Sequence, residues 1–222
     1  MLGTCLHERS GWELLSRKRD GFDLQNIEAH ANRFEGKIAV VNCIAHTKTY
    51  SNDDNHMKVN YEFVIKLVDL CLSKNIKLVH ISTGYVYTNN RNNPTEEDTP
   101  IPQDTEYART KLMTDEYVRR NMENYVIIRS VHKMKPFPYD NAFVDHTGNF
   151  CYVDEVADFI IECVERDFKG VYNVGKNTMS MYEFAKTTKP DVKPSIRPPE
   201  MPETVTFDCS KYTNKTNAIW KG

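Results

Sequence analysis

Tyr107 and Lys111 stand four residues apart in the stretch Tyr107-Ala108-Arg109-Thr110-Lys111. On a helix, that spacing puts both side chains on one face. A phenol and an ammonium meeting there can serve one reacting carbonyl. The cation favours the tyrosinate, because opposite charge stabilises the ionised form. Such a tyrosine exchanges a proton with a sugar or alcohol oxygen near neutral pH. Upstream, Lys77-Leu78-Val79-His80-Ile81 reads as a strand running into Ser82-Thr83-Gly84-Tyr85-Val86-Tyr87. Ser82 and Thr83 alone would be a strand end satisfying its own backbone. With Tyr107 and Lys111 downstream, they become candidates for holding a substrate oxygen.

These groups need a scaffold, and the hydrophobic pattern supplies one. Lys37 to Cys43 is a continuous apolar run after a glycine, the pattern of a fully buried parallel strand. Leu78 to Ser82 is a second buried strand, and Tyr125 to Arg129 a third. Between them, Met57 to Lys74 carries Val59, Phe63, Leu67, Leu70 and Cys71 at helical spacing, and the Tyr107 helix runs to about Met122. Strand and helix alternating at these lengths predict an α/β fold, a Rossmann-type doubly wound parallel sheet. Before this core, Met1 to Glu8 reads as a short helix, Trp12 to Leu15 as a strand and Gln25 to Phe34 as a helix. The polar stretch Asn89 to Thr105 exceeds the usual connection and reads as a functional or variable surface loop. After an irregular stretch from Ser130 to Gly148, Tyr152 to Arg166 is an amphipathic helix, and Gly170 to Gly175 a short strand. Ser180 caps a helix over Met181 to Thr187, with Glu183 at the capping-box position. Pro190 to Pro202 is extended and proline-rich. The expected division is residues 1–130, a dinucleotide-binding domain, and 131–222, a mixed region with a small C-terminal substrate lobe and late sheet elements.

Composition narrows the function. A formal net charge of -2 over 222 residues gives no basic excess for nucleic acid. No apolar run is long enough to span a bilayer, and the first residues lack the basic start and apolar core of a signal peptide. The six cysteines are far apart with no C-x-x-C pair. Cys43, Cys71 and Cys163 sit in apolar segments, so they read as reduced thiols of a cytoplasmic protein rather than disulfides or zinc ligands.

Five stretches in order carry a family resemblance: Val41 to Thr47, Val59-Asn60, Ile81 to Tyr87, Tyr107 to Lys111, and Gly170 to Gly175 with Ser180 to Phe184. Asp208-Cys209-Ser210-Lys211 adds a closing segment. Together they resemble the extended short-chain dehydrogenases/reductases, closest to the dTDP-4-dehydrorhamnose reductase group of nucleotide-sugar enzymes. The resemblance implies NADP(H)-dependent reduction, or epimerisation, of a nucleotide-linked 4-keto-6-deoxysugar for glycan synthesis. Tyr107 would give the proton to the sugar ketone. Lys111 would hold the nicotinamide ribose hydroxyls and lower the Tyr107 pKa. Thr83 would bond the substrate oxygen, with Ser82 as a substitute. Cys43, Ile44 and Ala45 would pass beside the cofactor's ribose and pyrophosphate. Asn60 matches a family asparagine with a structural or proton-relay role beside the cofactor. Arg17 and Lys18, with no acidic residue directly after the second strand, imply NADP over NAD through the 2'-phosphate; a solvated basic turn is the alternative. Asp23 matches an acidic position near the adenine, or caps a helix. The family also implies a possible homodimer.

Three departures accompany the match. The family opens with a strand and a G-x-x-G-x-x-G phosphate loop, and Met1-Leu2-Gly3 matches its end, so Gly3 is what remains of the pyrophosphate anchor and the first strand is expected to be truncated. Gly84 stands where the reductases have Asp, and the stretch from Arg129 to Tyr152 is shorter than usual. An alternative function follows: a non-catalytic dinucleotide- or partner-binding protein with the reductase fold, like the regulatory β subunit of methionine adenosyltransferase.

Overall fold

Leu78 and Val79 belong to opposite faces of one strand, and that alternation separates two cores. The computed structural model describes residues 1–216. Val79 and Ile81 join Val126 and Ile128 in a core with Leu2, Leu6, Phe159 and Ile160. Leu78 and Ile127 join Phe63, Leu67, Val68 and Val118 on the other face. Each strand is therefore apolar on both sides, as a sheet wrapped by helices requires.

The chain begins with helix α1 (Leu2–Ser10) and the short α2 (Arg17–Asp20), then a 3-10 helix (Ile27–Phe34) leads to β1 (Ala39–Asn42). A π-helical turn (His56–Glu62) runs directly into α3 (Phe63–Ser73) and β2 (Lys77–Ile81). A 3-10 turn (Gly84–Tyr87) and a long loop precede α4 (Glu106–Asn121) and β3 (Tyr125–Lys133). Then come β4 (Asn141–Phe143), β5 (Thr147–Gly148), β6 (Phe150–Tyr152), α5 (Val153–Glu165) and β7 (Gly170–Val174). The last elements are β8 (Met179–Ser180), α6 (Met181–Lys186), β9 (Lys193–Ser195), β10 (Thr204–Val205) and α7 (Ser210–Thr216). β1, β2 and β3 pair in that order, and β6 and β7 both pair with β3, every contact being parallel. Helices α1 and α5 pack together over one face, with α3 and α4 over the other. This is the Rossmann-type sheet that the pattern predicts.

Beyond the sheet, β4 pairs with β9, β5 lies between β8 and β10, and Phe137, Phe150, Phe184 and Phe207 build a third core. β3 runs unbroken across position 130, and β6, α5 and β7 belong to the main sheet, so the later residues serve both bodies. The Ser180–Glu183 capping box forms as expected, with the Glu183 N–H on Ser180 Oγ at 3.1 Å.

Two strand expectations need correction. β1 is half-buried rather than fully buried, and Ile38 beside it is 78% exposed. Among the described residues β1 pairs with β2 alone, so its outer edge carries no neighbour. For the same reason Trp12 to Leu15 has no ladder to join and is not a strand. It anchors by side chains instead: Trp12 packs on one core and Leu15 on the other. The loop from Asn89 to Thr105 is pinned rather than loose. Asn89 and Asn90 side chains bond the Pro102 and Thr99 carbonyls, and buried Glu96 accepts the Asn173 N–H at 2.7 Å.

Candidate active site

Thr105 starts the helix that carries the central pair. Its extended backbone and its side chain, which accepts the Ala108 N–H at 3.2 Å, form the N-cap of α4. Tyr107 then falls in the first turn and Lys111 one turn later. The buried face of α4 is Ala108, Lys111, Thr114, Asp115 and Val118, polar in its middle. That polarity is answered by β2, β3 and the turn after β2.

Ser82 and Thr83 separate here. Ser82 Oγ donates to Asp115 Oδ2 at 2.9 Å, and Arg129 Nε reaches the same oxygen at 2.9 Å. Both members of this ion pair are fully buried, and Arg129 also donates to the Tyr87 hydroxyl. Ser82 is thus a strut. Thr83 caps the following 3-10 turn by accepting the Tyr85 N–H at 3.3 Å, and its hydroxyl faces the Tyr107 phenol. The Tyr107 ring lies edge-on to Tyr85 and His56, with centroids 6.4 and 6.2 Å away.

The electrostatics differ from expectation. Burial raises the Tyr107 phenol above its ordinary value; Thr83 offsets part of this and the Asp115 charge adds to it. Lys111 is not what acts on Tyr107 in this state. Its Nζ donates to the Ile81 carbonyl at 2.6 Å and meets His80 Nε2 at 3.1 Å. Burial lowers Lys111 to about 8, against the opposing pull of Asp115 and Cys43. Burial, with the neighbouring Lys111, holds His80 well below the usual histidine range.

The proposed cofactor residues divide into three groups. Gly3 lies beside the end of β1: a Cβ there would be 3.6 Å from Cys43 Cβ. Cys43 is a protonated thiol, pushed up to about 12 by burial, and sits near enough to Lys111 to feel its charge. Ile44 gives its N–H to Asn42 Oδ1 at 3.0 Å, and Ala45 leads to His46. The structure therefore gathers Gly3, Cys43, Ile44, Ala45 and Lys111 at the carboxyl end of β1, where open α/β sheets take ligands. Arg17 and Lys18 are exposed on α2, whose cap Ser16 accepts the Arg19 N–H at 3.1 Å. Asp23 uses its carboxylate locally, accepting the Gln25 N–H at 3.0 Å in a turn, and it does not cap the next helix, whose N-cap is Asn26.

Asn60 takes the structural one of its two expected roles and is not a cofactor contact. Its Oδ1 accepts the His46 N–H at 2.8 Å and its Nδ2 donates to the His46 carbonyl at 3.1 Å. This two-point clamp holds the loop after β1 and leaves the amide unavailable to a cofactor. The loop is tied again by His46 Nε2 on Asp53 at 3.1 Å and by the edge-on packing of His46 against His56.

Gly84 is explained by a neighbour far along the chain. A Cβ there would run into the Phe207 ring and lie 2.8 Å from Val131 Cγ2. An aspartate cannot occupy this position while Phe207 does. Sequence reasoning also missed Asp115, His80 and Arg129. Asp115 was within reach, being four residues beyond Lys111 on the same helix face; His80 and Arg129 depend on which strands adjoin.

A parallel sheet with a hydroxyl, a phenol and an amine gathered at its carboxyl edge defines the dinucleotide-fold class of α/β proteins bearing a Tyr–Lys pair. Within that class, the chain belongs to the RmlD substrate binding domain family, whose model matches residues 2–132. A bifunctional dTDP-4-dehydrorhamnose 3,5-epimerase/dTDP-4-dehydrorhamnose reductase of Arabidopsis thaliana is 25% identical over 159 residues, 63% of this chain and 52% of its own. The spore coat polysaccharide biosynthesis protein SpsK of Bacillus subtilis is 28% identical over 123 residues, 48% of this chain and 43% of its own. The chain thus spans about half the length of these curated relatives. A dTDP-4-dehydrorhamnose reductase from Clostridium acetobutylicum superposes with a TM-score of 0.82 at 21% identity, covering 98% of this chain and 90% of that one. The Bacillus anthracis reductase in complex with NADP gives 0.78 at 20% identity, covering 98% and 88%. The Thermus thermophilus UDP-glucose 4-epimerase in complex with NAD gives 0.77 at 16%, covering 100% and 92%. At these identities the structural likeness is one of fold.

Proposed function

We propose that this chain carries out NADP(H)-dependent reduction, or epimerisation, of a nucleotide-linked 4-keto-6-deoxysugar. The observation that carries the reading is the placing of Thr83 opposite Tyr107, with Ser82 withdrawn to Asp115 and Lys111 one turn below. Thr83 bonds the substrate oxygen and holds it against the phenol. Tyr107 then passes its proton to that oxygen as the ketone becomes an alcohol. Burial keeps the phenol protonated at neutral pH, the state a proton donor needs.

The residues present fit a dinucleotide. α1 opens against Cys43, and the first N–H groups of a helix have no intrahelical acceptor, so Leu2, Gly3 and Thr4 offer donors for a phosphate. Arg17 and Lys18 are exposed cations for a 2'-phosphate, which favours NADP(H) over NAD(H). Lys111 would turn from the Ile81 carbonyl and His80 to ribose hydroxyls. A bound dinucleotide would supply the hydride. The test is NADPH oxidation with dTDP-4-keto-6-deoxysugars, wild type against Tyr107→Phe. A wild-type rate no greater than the variant's ends the reading.

One observation favours a second reading, a partner-binding protein of the same fold. The outer edge of β1 is half-buried and carries no strand among the described residues. Unpaired strand edges accept partner strands. Under this reading Tyr107→Phe changes no partner affinity and no keto sugar is consumed.

A further inference from the structure

Beneath Tyr107 runs a chain of hydrogen bonds whose direction is fixed at one end. Parallel register sets Asn42 on β1 beside His80 on β2. The Ile44 backbone N–H, a donor alone, gives its hydrogen to Asn42 Oδ1 at 3.0 Å. That leaves Asn42 Nδ2, also a donor, facing His80 Nδ1 at 3.2 Å. Turning the amide over would set its NH2 group against the Ile44 N–H, donor against donor. His80 Nδ1 must therefore accept. A neutral imidazole that accepts on Nδ1 carries its hydrogen on Nε2. His80 Nε2 lies 3.1 Å from Lys111 Nζ. An ammonium at that point has no lone pair and would oppose N–H to N–H. An amine accepts the Nε2 hydrogen and still donates to the Ile81 carbonyl at 2.6 Å.

We propose that Asn42 and His80 are positioning residues that, in this orientation, hold Lys111 as an uncharged amine, and that Lys111 gains its charge when the chain of hydrogen bonds reverses. In the reversed state Asn42 is turned over, His80 donates from Nδ1 to Asn42 Oδ1, and a Lys111 ammonium donates to His80 Nε2. The net change is one proton taken from solvent: Lys111 gains an N–H bond, while the His80 Nε2–H bond breaks and an Nδ1–H bond forms. The reversal frees two donors side by side, the Ile44 N–H and the Asn42 NH2. They suit a single acceptor oxygen of a ligand, such as a phosphate or hydroxyl oxygen. Ligand contact at the end of β1 and charge on Lys111 are then coupled through a two-state element.

The surroundings agree. Burial lowers Lys111 to about 8, within reach of neutral pH. From α4 the Asp115 carboxylate, and from the end of β1 the Cys43 thiol, pull the other way. Asp115 is already engaged by Arg129 and Ser82, and Cys43 is held as a thiol. His80 stays neutral, so its tautomer decides the direction of the chain.

The inference deepens the reductase reading, and its catalytic use rests on that reading, but its test needs no turnover. In the ligand-free full chain at about pH 9.5, above the Lys111 midpoint, nitrogen-15 spectra of the histidine rings should show His80 Nδ1 unprotonated and Nε2 protonated. The Lys111 Cε resonance should titrate with a midpoint near 8. Asn42→Asp accepts from both Ile44 and His80 Nδ1, so it should invert the His80 tautomer and tighten proton binding at Lys111 by about tenfold or more. A wild-type His80 protonated on Nδ1 at that pH, or a Lys111 midpoint at the ordinary lysine value, overturns the proposal. So does a folded Asn42→Asp with both signals unchanged. If Asn42→Asp does not fold, the wild-type tautomer decides alone. An inactive protein can still pass this test, and an active one can fail it.

Discussion

The Phe207 ring occupies the space that any side chain at Gly84 would need. The two are joined across most of the chain's length, and the contact seals the turn carrying Thr83 against the C-terminal lobe core. Gly84→Ala forces the ring or Val131 to shift, which should cost about 1–3 kcal/mol. Gly84→Asp should cost more, because it adds a charge facing Phe207. Chemical denaturation of both variants checks this. A Gly84→Ala variant as stable as wild type would show that the ring moves freely.

If the chain is the proposed reductase, Tyr107→Phe should lower ketone reduction by about 10²–10⁴ in rate, the loss of a general acid, with the fold intact. Its neighbours separate by role. Thr83→Val should lower kcat with little change in cofactor affinity. Ser82→Ala should act on stability instead, because it removes a bond to the buried Asp115. Steady-state kinetics beside thermal melts distinguish the two. Equal kinetic defects in Thr83→Val and Ser82→Ala would erase the distinction drawn between them.

Lys111 should leave a signature in stability against pH. Its folded midpoint near 8 lies below the ordinary 10.5, chiefly through burial. Below pH 8 both folded and unfolded chains hold the proton, and the fold bears the full cost of the buried charge. Between 8 and 10.5 the unfolded chain binds more protons, so stability from this group rises with pH. The stability of Lys111→Met relative to wild type should therefore be greater at pH 7 than at pH 10.5, by about 3 kcal/mol. Denaturant unfolding across that range measures it, and a constant difference would contradict it.

Under the proposed function the wild type should prefer NADPH over NADH, and Arg17→Ala should narrow that preference. Removing one charge-assisted bond to a phosphate costs about 1.5–3 kcal/mol, roughly tenfold or more in affinity. Calorimetric titration with both cofactors reads it. Equal affinities in the wild type would show that α2 does not meet the 2'-phosphate.

The sheet and helices that carry the chemistry were legible because they follow simple periods. Leu78 to Ile81 reads as a buried strand, Tyr107 and Lys111 share a helix face, and Ser180 with Glu183 announces a helix start. What was not legible depends on neighbours. An apolar run such as Lys37 to Cys43 reveals that a strand wants burial, not whether a second strand lies beside it. Asn60 reads as an unfavourable helix residue, and nothing local says that it grips His46. The partners of Lys111 could not be read either, since Asn42 and His80 meet through strand register. Phe207 and Gly84 are farther apart still, and no local pattern links them.

The π-helical turn His56–Glu62 closes with the Phe63 N–H on the Lys58 carbonyl, five residues back. It acts as a phase adjustment between two jobs on one continuous helix. Phe63, Val64 and Leu67 point into the core, while Asn60 points at the His46 backbone. In ordinary α-helical winding each residue turns about 100°, and the wider π turn changes the angle between Asn60 and the core-facing residues that follow. Deleting one residue from the turn would leave a better helix and a worse protein. The core face could keep its register, but the amide that fixes the loop after β1 would swing away, and the edge of the candidate site would lose its shape without any change to Thr83, Tyr107 or Lys111.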